Sequence, residues 1–248
     1  MKYKALFLDL DGTTIPNKRD GMPSPHVTEA IHKAKKHVFV CIATSRPLFI
    51  ARHIIDHLDI RGLCSVNDST QIYDPVKKKF LQTIYIDSIC IPKIMRIAKR
   101  FGVKLVMNNG RSERIAGEGW KKTKVCSLYI PSVAPEIAER IIEDLTKIPN
   151  IAVHKILSWT KGEISISMSH ITATKLHSVV RVAELLGVKT EEMIGVGDGY
   201  NDYPLLSACG LKIAMGNAAP ELKAIADFIA PTVDEDGVAT VIEKFILS

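Results

Sequence analysis

The stretch KALFLDLDGTT, Lys4 to Thr14, decides the fold. An unbroken apolar run stops abruptly at Asp9. A strand buried on both faces reads this way, whereas a half-exposed strand alternates. Carboxylates cannot be buried without a compensating partner, so the run must end where the sheet opens on a site. In a loop leaving a strand, residues two apart face the same way. Asp9 and Asp11 can therefore both face that site while Leu10 stays in the core.

Outward from this strand the same rhythm repeats. Ser24-Pro25 is a helix start, and Val27, Ala30, Ile31 and Ala34 supply one apolar face. VFVCIA (Val38–Ala43) is a second buried strand, ending at Thr44, Ser45 and Arg46. A helix is predicted from Pro47 to about Leu58, then a short strand near Leu63–Val66. This βαβαβ order implies an α/β fold with a doubly wound, Rossmann-like parallel sheet.

From about Asp87 the texture changes. Pro92 opens a helix with Ile94, Ile97, Ala98 and Phe101 inward, and a second helix carries Ile137, Ile141, Leu145 and Ile148. VKLVM, TKVCSLYI and the period-two EISISM read as strands of a sheet with one covered face. After that the first rhythm returns. A helix runs from Thr174 to Gly187, MIGVGD stops at Asp198, a strand covers Leu211–Met215, and a last helix covers Glu235–Leu247. The expected organisation is an α/β core made of residues 1–83 and 170–248, with an α+β module, 84–169, inserted between them.

Composition narrows the function classes. The 248 residues are 46% apolar and 24% charged, an ordinary globular balance. No apolar stretch approaches the roughly 18 residues that span a bilayer, and the N-terminus lacks a signal-peptide pattern. No membrane association is therefore expected. Five cysteines stand singly in apolar contexts, which argues against zinc and disulfides and for a reducing cytoplasm. Residues 84–170 hold 14 of the Lys+Arg and 8 of the Asp+Glu, so the middle segment carries the whole net charge of +6. That field could draw in anionic substrates or be a solvated face. No nucleic-acid-binding signature accompanies it, and no nucleic acid partner is expected.

In open parallel sheets, function gathers beyond the carboxyl ends of strands. Four such places carry polar clusters: Asp9 to Thr13, Thr44 to Arg46, Thr172 to Lys175, and GDGYND (Gly197–Asp202). Oxygen donors without imidazole or thiolate point to Mg2+. One of the first two aspartates could attack phosphorus while the other handles the leaving-group proton. The repulsion from a phosphate dianion would be offset by the cation and one lysine. Gly12 would permit the turn that aims amides at a phosphate. Gly195 to Gly199 fails the dinucleotide spacing, and no GxxxxGK[ST] is present. Trp120 and Trp159 are expected to pack the interior of the middle module in preference to the alternative, shaping a substrate pocket. Arg46 could meet the substrate or form a surface salt bridge.

DLDGT, ATSR, a lone lysine leading a helix and GDGYND, in that order, resemble the haloacid dehalogenase superfamily of phosphatases. The tail from Gly197 is similar to the Cof-type branch (subclass IIB), which inserts its larger cap, type C2B, between the second and third motifs. The resemblance implies a phosphatase that acts on a small phosphorylated metabolite, such as a sugar phosphate, through an aspartyl-phosphate. It makes Asp9 the nucleophile and a metal ligand, and Asp11 the general acid/base with its carbonyl on the metal. Thr44 holds the phosphoryl group and Lys175 neutralises it. Asp198 binds Mg2+, and Asp202 supports it directly or through water. Gly12, Ser45, Arg46, Asn201 and Asn217 fall where the substrate is met. The chain departs from the family pattern at Thr14, at Ser45, and at Asn67-Asp68-Ser69, where an NGA is frequent. A phosphosugar mutase of the phosphomannomutase type and a non-catalytic sensor are the alternatives.

Overall fold

The computed structural model describes residues 2–117 and 123–248. Ala5–Leu8 (β1), Phe39–Ala43 (β2) and Cys64–Val66 (β3) run parallel. Met193–Gly197 (β11), Leu211–Ala214 (β12) and Phe228–Ile229 (β13) continue the parallel sheet on the other side of β1. The strand order reverses at β1, so right-handed crossovers send the helices of the two wings to opposite faces. Pro25–Ala34 (α1) packs against Gly237–Phe245 (α8), and Lys175–Leu186 (α5) packs against Tyr203–Ala208 (α6). Both β1 and β11 are buried along their whole length, as an apolar run covered on two sides must be.

Local chemistry fixes the helix ends. Ser24 Oγ accepts the Val27 amide ahead of Pro25, and Thr174 Oγ1 accepts the His177 amide at the start of α5. Gly187 ends α5 with φ 66°, the left-handed conformation that a glycine adopts without strain. The sequence reading did not include the hairpin Gln71–Asp74 (β4) and Lys79–Thr83 (β5), which adds two antiparallel strands beyond β3. Its strands are short and its turn is lysine-rich, so the apolar pattern that marks a strand is faint there.

A second, antiparallel sheet is formed by Val106–Asn108 (β6), Glu113–Ile115 (β7), Ser127–Val133 (β8), Ile151–Leu157 (β9) and Ile164–His170 (β10). Its order is β7-β6-β8-β10-β9. Ile91–Arg100 (α3) and Pro135–Leu145 (α4) cover one face, and a separate hydrophobic cluster from Ile86 to Met168 fills the space between. The inward stripe of α4 is Ala138, Ile141 and Leu145, while Ile137 is exposed, contrary to the sequence reading. Small Ala138 takes the place that spacing alone offered to the larger residue.

The EISISM alternation has a different meaning from the one expected. Ile164, Ile166 and Met168 face the helices, but Ser167 and Ser169 opposite them are buried as well. The serine face of β10 turns toward the large sheet, not toward water. All five cysteines are free and buried. Among the described residues, no helix is long and apolar enough to cross a membrane. Trp120 lies outside the described residues.

Candidate active site

The carboxyl ends of β1, β2 and β11 converge with the start of α5. Asp9, Asp198, Asp202 and Lys175 are all at most 5% exposed, a density of buried charge that must be compensated internally. Lys175 Nζ donates to Asp9 Oδ1 at 2.6 Å and to Asp202 Oδ1 at 2.5 Å. Asp202 Oδ2 accepts the amides of Asp198 at 3.1 Å and Gly199 at 2.9 Å, so this carboxylate braces the GDGYND loop while holding the lysine. Oxygens of Asp9, Asp198 and Asp202 lie within 4.8 Å of one another.

The electrostatics follow from this crowding. Burial, with repulsion from Asp202, raises the Asp9 carboxyl well above its ordinary range, against the pull of Lys175. Burial and Asp202 likewise push Asp198 up to about 8, although Thr13 Oγ1 donates to it at 3.0 Å. Burial pulls Lys175 down, but the carboxylates of Asp202 and Asp9 outweigh it and hold the ammonium above its usual value. Three carboxylates around one ammonium want further positive charge. The donor set, all hard oxygens, fits a small hard divalent cation.

Gly12 has a steric reason to be glycine. A Cβ there would lie 2.2 Å from Asp198 Oδ2, and its φ is +77°. Its amide is donated to the Ile15 carbonyl at 2.8 Å within its own turn and not to a ligand, whereas the sequence reading had Gly12 permit a turn that aims amides at a phosphate. Asn217 also stays behind the loops. Its Nδ2 donates to the Gly12 carbonyl at 2.8 Å and lies 3.4 Å from Asp198 Oδ2, and among the described residues it is not part of the cavity wall.

A cavity of about 400 Å3 opens above this cluster, between the large sheet and the second sheet. Asp9, Asp11, Thr44, Ser45, Asp198 and Asn201 form part of its floor. Thr44 Oγ1 accepts the Arg46 amide at 3.1 Å, and Asn201 Nδ2 donates to Ser45 Oγ at 3.2 Å. Lys175 lies beneath the floor, behind Asp9, and is not exposed to the cavity among the described residues.

Asp11 stands apart from the other three aspartates. Arg46 grips it with two prongs, Nε to Oδ2 at 2.7 Å and Nη2 to Oδ1 at 2.6 Å. Arg46 is itself only 4% exposed and donates further to the carbonyls of Lys18 and Arg19, so it is not the surface bridge that was one reading of it, and it lines the cavity. Trp159, in the turn between β9 and β10, donates its indole N–H to Asp11 Oδ1 at 3.1 Å, with Arg46 5.1 Å from its ring centre. It is 45% exposed and lines the cavity, which corrects the expectation that it packs the module interior. No motif or spacing pointed to this bond, which joins positions 148 apart. The Arg46–Asp11 pair could have been anticipated: Arg46 lies two residues beyond Thr44 at a strand end and shares its outlook.

A family model described as haloacid dehalogenase-like hydrolase matches residues 6–125 and 120–242. The chain belongs to this family of hydrolases. It is 27% identical over 252 residues to a 5-amino-6-(5-phospho-D-ribitylamino)uracil phosphatase of Bacillus subtilis (strain 168), covering 98% of this chain and 96% of that protein. It is also 27% identical over 263 residues to a putative phosphatase of Haemophilus influenzae, with 98% of each chain covered. Among solved structures, a haloacid dehalogenase-like hydrolase from B. subtilis shares the fold with a TM-score of 0.85 at 21% identity, over 98% of this chain and 99% of that one.

Proposed function

We propose that the protein is a cytoplasmic, Mg2+-dependent phosphomonoesterase that hydrolyses a small phosphorylated metabolite through a phosphoryl group held covalently on Asp9. The observation that carries this reading is the buried Asp9–Lys175–Asp202–Asp198 cluster at the floor of a closed-over cavity. Asp9, Asp198 and Asp202 would hold the ion, with the Asp11 carbonyl assigned by resemblance. When bound, Mg2+ supplies the positive charge that lets a carboxylate approach a phosphate dianion. Residues 84–169 serve as a cap over the core segments 1–83 and 170–248.

Asp9 attacks phosphorus, and Lys175 keeps its carboxylate aimed and ionised. The departing alkoxide takes a proton from Asp11, which enters this step in its acid form, carrying the proton it gained from water at the end of the preceding turnover. Asp11 then accepts a proton from water as that water attacks the aspartyl-phosphate, which frees phosphate and restores Asp9. Asp11 already stands as an acceptor, held by Arg46 and Trp159, which is the role the second half-reaction demands. Thr44 and Ser45 would meet the phosphoryl oxygens, a reading supported by their position on the cavity lining. The substrate named for the B. subtilis relative is a phosphomonoester with a polyol leaving group, which supports the substrate class.

The test is a Mg2+-supplemented panel of phosphorylated metabolites with phosphate release as readout. Release that is abolished by chelation is expected. Ligand binding without release across the panel would make the protein a sensor instead.

A further inference from the structure

The part of the cavity wall that holds Asp68 and Glu113 is unlike the floor around Asp9. The middle segment carries the chain's whole excess of positive charge, yet among the described residues none of its lysines or arginines lines the cavity. Its one charged contribution there is Glu113. From the large sheet comes Asp68, which stands where the family pattern has glycine. Asn67, Asp68 and Ser69 all have positive φ, 55°, 54° and 60°, a run of left-handed backbone that L residues rarely adopt. The strain is held by Thr70 Oγ1 on the Asn67 carbonyl at 2.6 Å and by the Asn67 amide on the Arg46 carbonyl at 2.8 Å. The Asn67 side chain also ties this turn to the second sheet, donating to Asn108 Oδ1 at 3.2 Å and accepting from Ser127 Oγ at 3.1 Å. Strain maintained this firmly at a cavity wall is a mark of function.

The charged groups along this wall are acidic and its neutral polar groups are mostly hydroxyls. The carboxylate of Asp68 lies near the hydroxyls of Ser167, Ser45 and Ser127, which only partly offset its burial. Ser167, 1% exposed and on the cavity, is close enough to favour the charged form of Asp68, yet its Oγ completes no well-formed hydrogen bond. The buried Oδ1 of Asn17, another residue of the cavity lining, has no hydrogen-bond partner among the described residues. Glu113 takes one hydrogen bond from Asn108 at 3.1 Å and one from Tyr129 at 3.3 Å. The cations of the cavity are Arg46, spent on Asp11, and Arg19, exposed at the rim. Two carboxylates, Asp68 and Glu113, therefore stand among hydroxyls on this wall, and among the described residues no guanidinium or ammonium pairs with either.

We infer that this wall is a leaving-group subsite that selects phosphomonoesters whose leaving alcohol carries hydrogen-bond donors, hydroxyl or amine, and that turns away a second anion. Asp68 is its specificity-determining residue. This rests on the phosphatase reading and narrows it, because a bisphosphate, the activator a phosphosugar mutase requires, would set its second phosphate against Asp68 and Glu113.

The experiment compares kcat/KM for glucosamine 6-phosphate, ribitol 5-phosphate, glucose 1,6-bisphosphate, 6-phosphogluconate and p-nitrophenyl phosphate, in wild type and in Asp68→Asn and Asp68→Lys. Asn tolerates left-handed backbone, so Asp68→Asn keeps the turn. The wild type is expected to prefer the amine and polyol esters over the two doubly anionic ones by about 10- to 100-fold, the worth of a charge-assisted hydrogen bond gained or a like charge met. Asp68→Asn should lower the ratio of amine-ester to p-nitrophenyl phosphate turnover by about 10-fold, and Asp68→Lys should reverse the order against the bisphosphate. Doubly anionic esters cleaved as well as the others, or ratios unmoved by both substitutions, would overturn the subsite. Failure of the wild type to cleave any ester, p-nitrophenyl phosphate included, would instead overturn the phosphatase reading beneath it.

Discussion

The two sheets place their polar residues in opposite ways. In the large parallel sheet the strands are apolar on both faces, and Asp9, Thr44 and Asp198 follow directly after their ends. In the antiparallel sheet one face is apolar, and Ser127, Tyr129, Ser165 and Ser167 stand along the other, within the strands themselves. A residue at a strand end depends on its whole loop, as Gly12 against Asp198 illustrates. A side chain on a sheet face depends on few neighbours and can be exchanged without moving the backbone. On the proposed function, the contrast assigns the reaction to the parallel sheet and the choice of substrate to the antiparallel face and the Asp68 turn that meets it.

That division can be broken by substitutions on each side. The largest effect is expected from Asp9→Asn, which should lower kcat by at least about 10^4-fold for every substrate alike while the melting temperature stays near that of the wild type. Lys175→Met should lower kcat by about 10^2- to 10^3-fold. It also leaves Asp9 and Asp202 buried without their counter-charge, so denaturant melts should show a loss of about 3–5 kcal/mol, partly restored by divalent cation. Trp159→Phe removes the indole hydrogen bond from the β9–β10 turn to Asp11 and should lower kcat/KM by about 10-fold. Equal loss on all substrates would mark Trp159 as positioning Asp11, whereas losses confined to some esters would move it to the selective side of the comparison.

The smallest expected effect is on stability. Burial pushes the Asp68 carboxyl up to about 6 from an ordinary 3.8, softened by its three serine neighbours. Between those values the folded chain holds a proton that the unfolded chain has lost, so this group makes stability fall as pH rises, and the loss is complete above about 6. Asp68→Asn removes the effect. Melts across pH should show the variant gaining about 1–3 kcal/mol on the wild type between pH ~4 and ~7, and nothing further above that.

The same contrast explains what the sequence made legible. Apolar runs that stop at Asp9, Thr44 and Asp198 announce both the parallel sheet and the reactive residues, because one pattern serves both. The buried lysine at the head of α5 was readable as a motif member, though its place behind Asp9 was not. The hairpin β4–β5 and the strand β9 were missed because their patterns mix polar and apolar residues without a clear period. The Trp159–Asp11 bond, the exposure of Ile137 and the burial of the serine face of β10 depend on how two separate hydrophobic clusters meet. No spacing along one chain encodes that.

The central claim is that the phosphoryl group passes through Asp9. Rapid acid quench of the enzyme turning over a phosphomonoester with Mg2+, followed by peptide mapping, tests it most directly. The expected result is a phosphoryl adduct on the peptide that contains Asp9, more abundant in Asp11→Asn, where its hydrolysis stalls, and absent from Asp9→Asn. Undiminished turnover by Asp9→Asn, or an adduct on any other residue, would contradict the account.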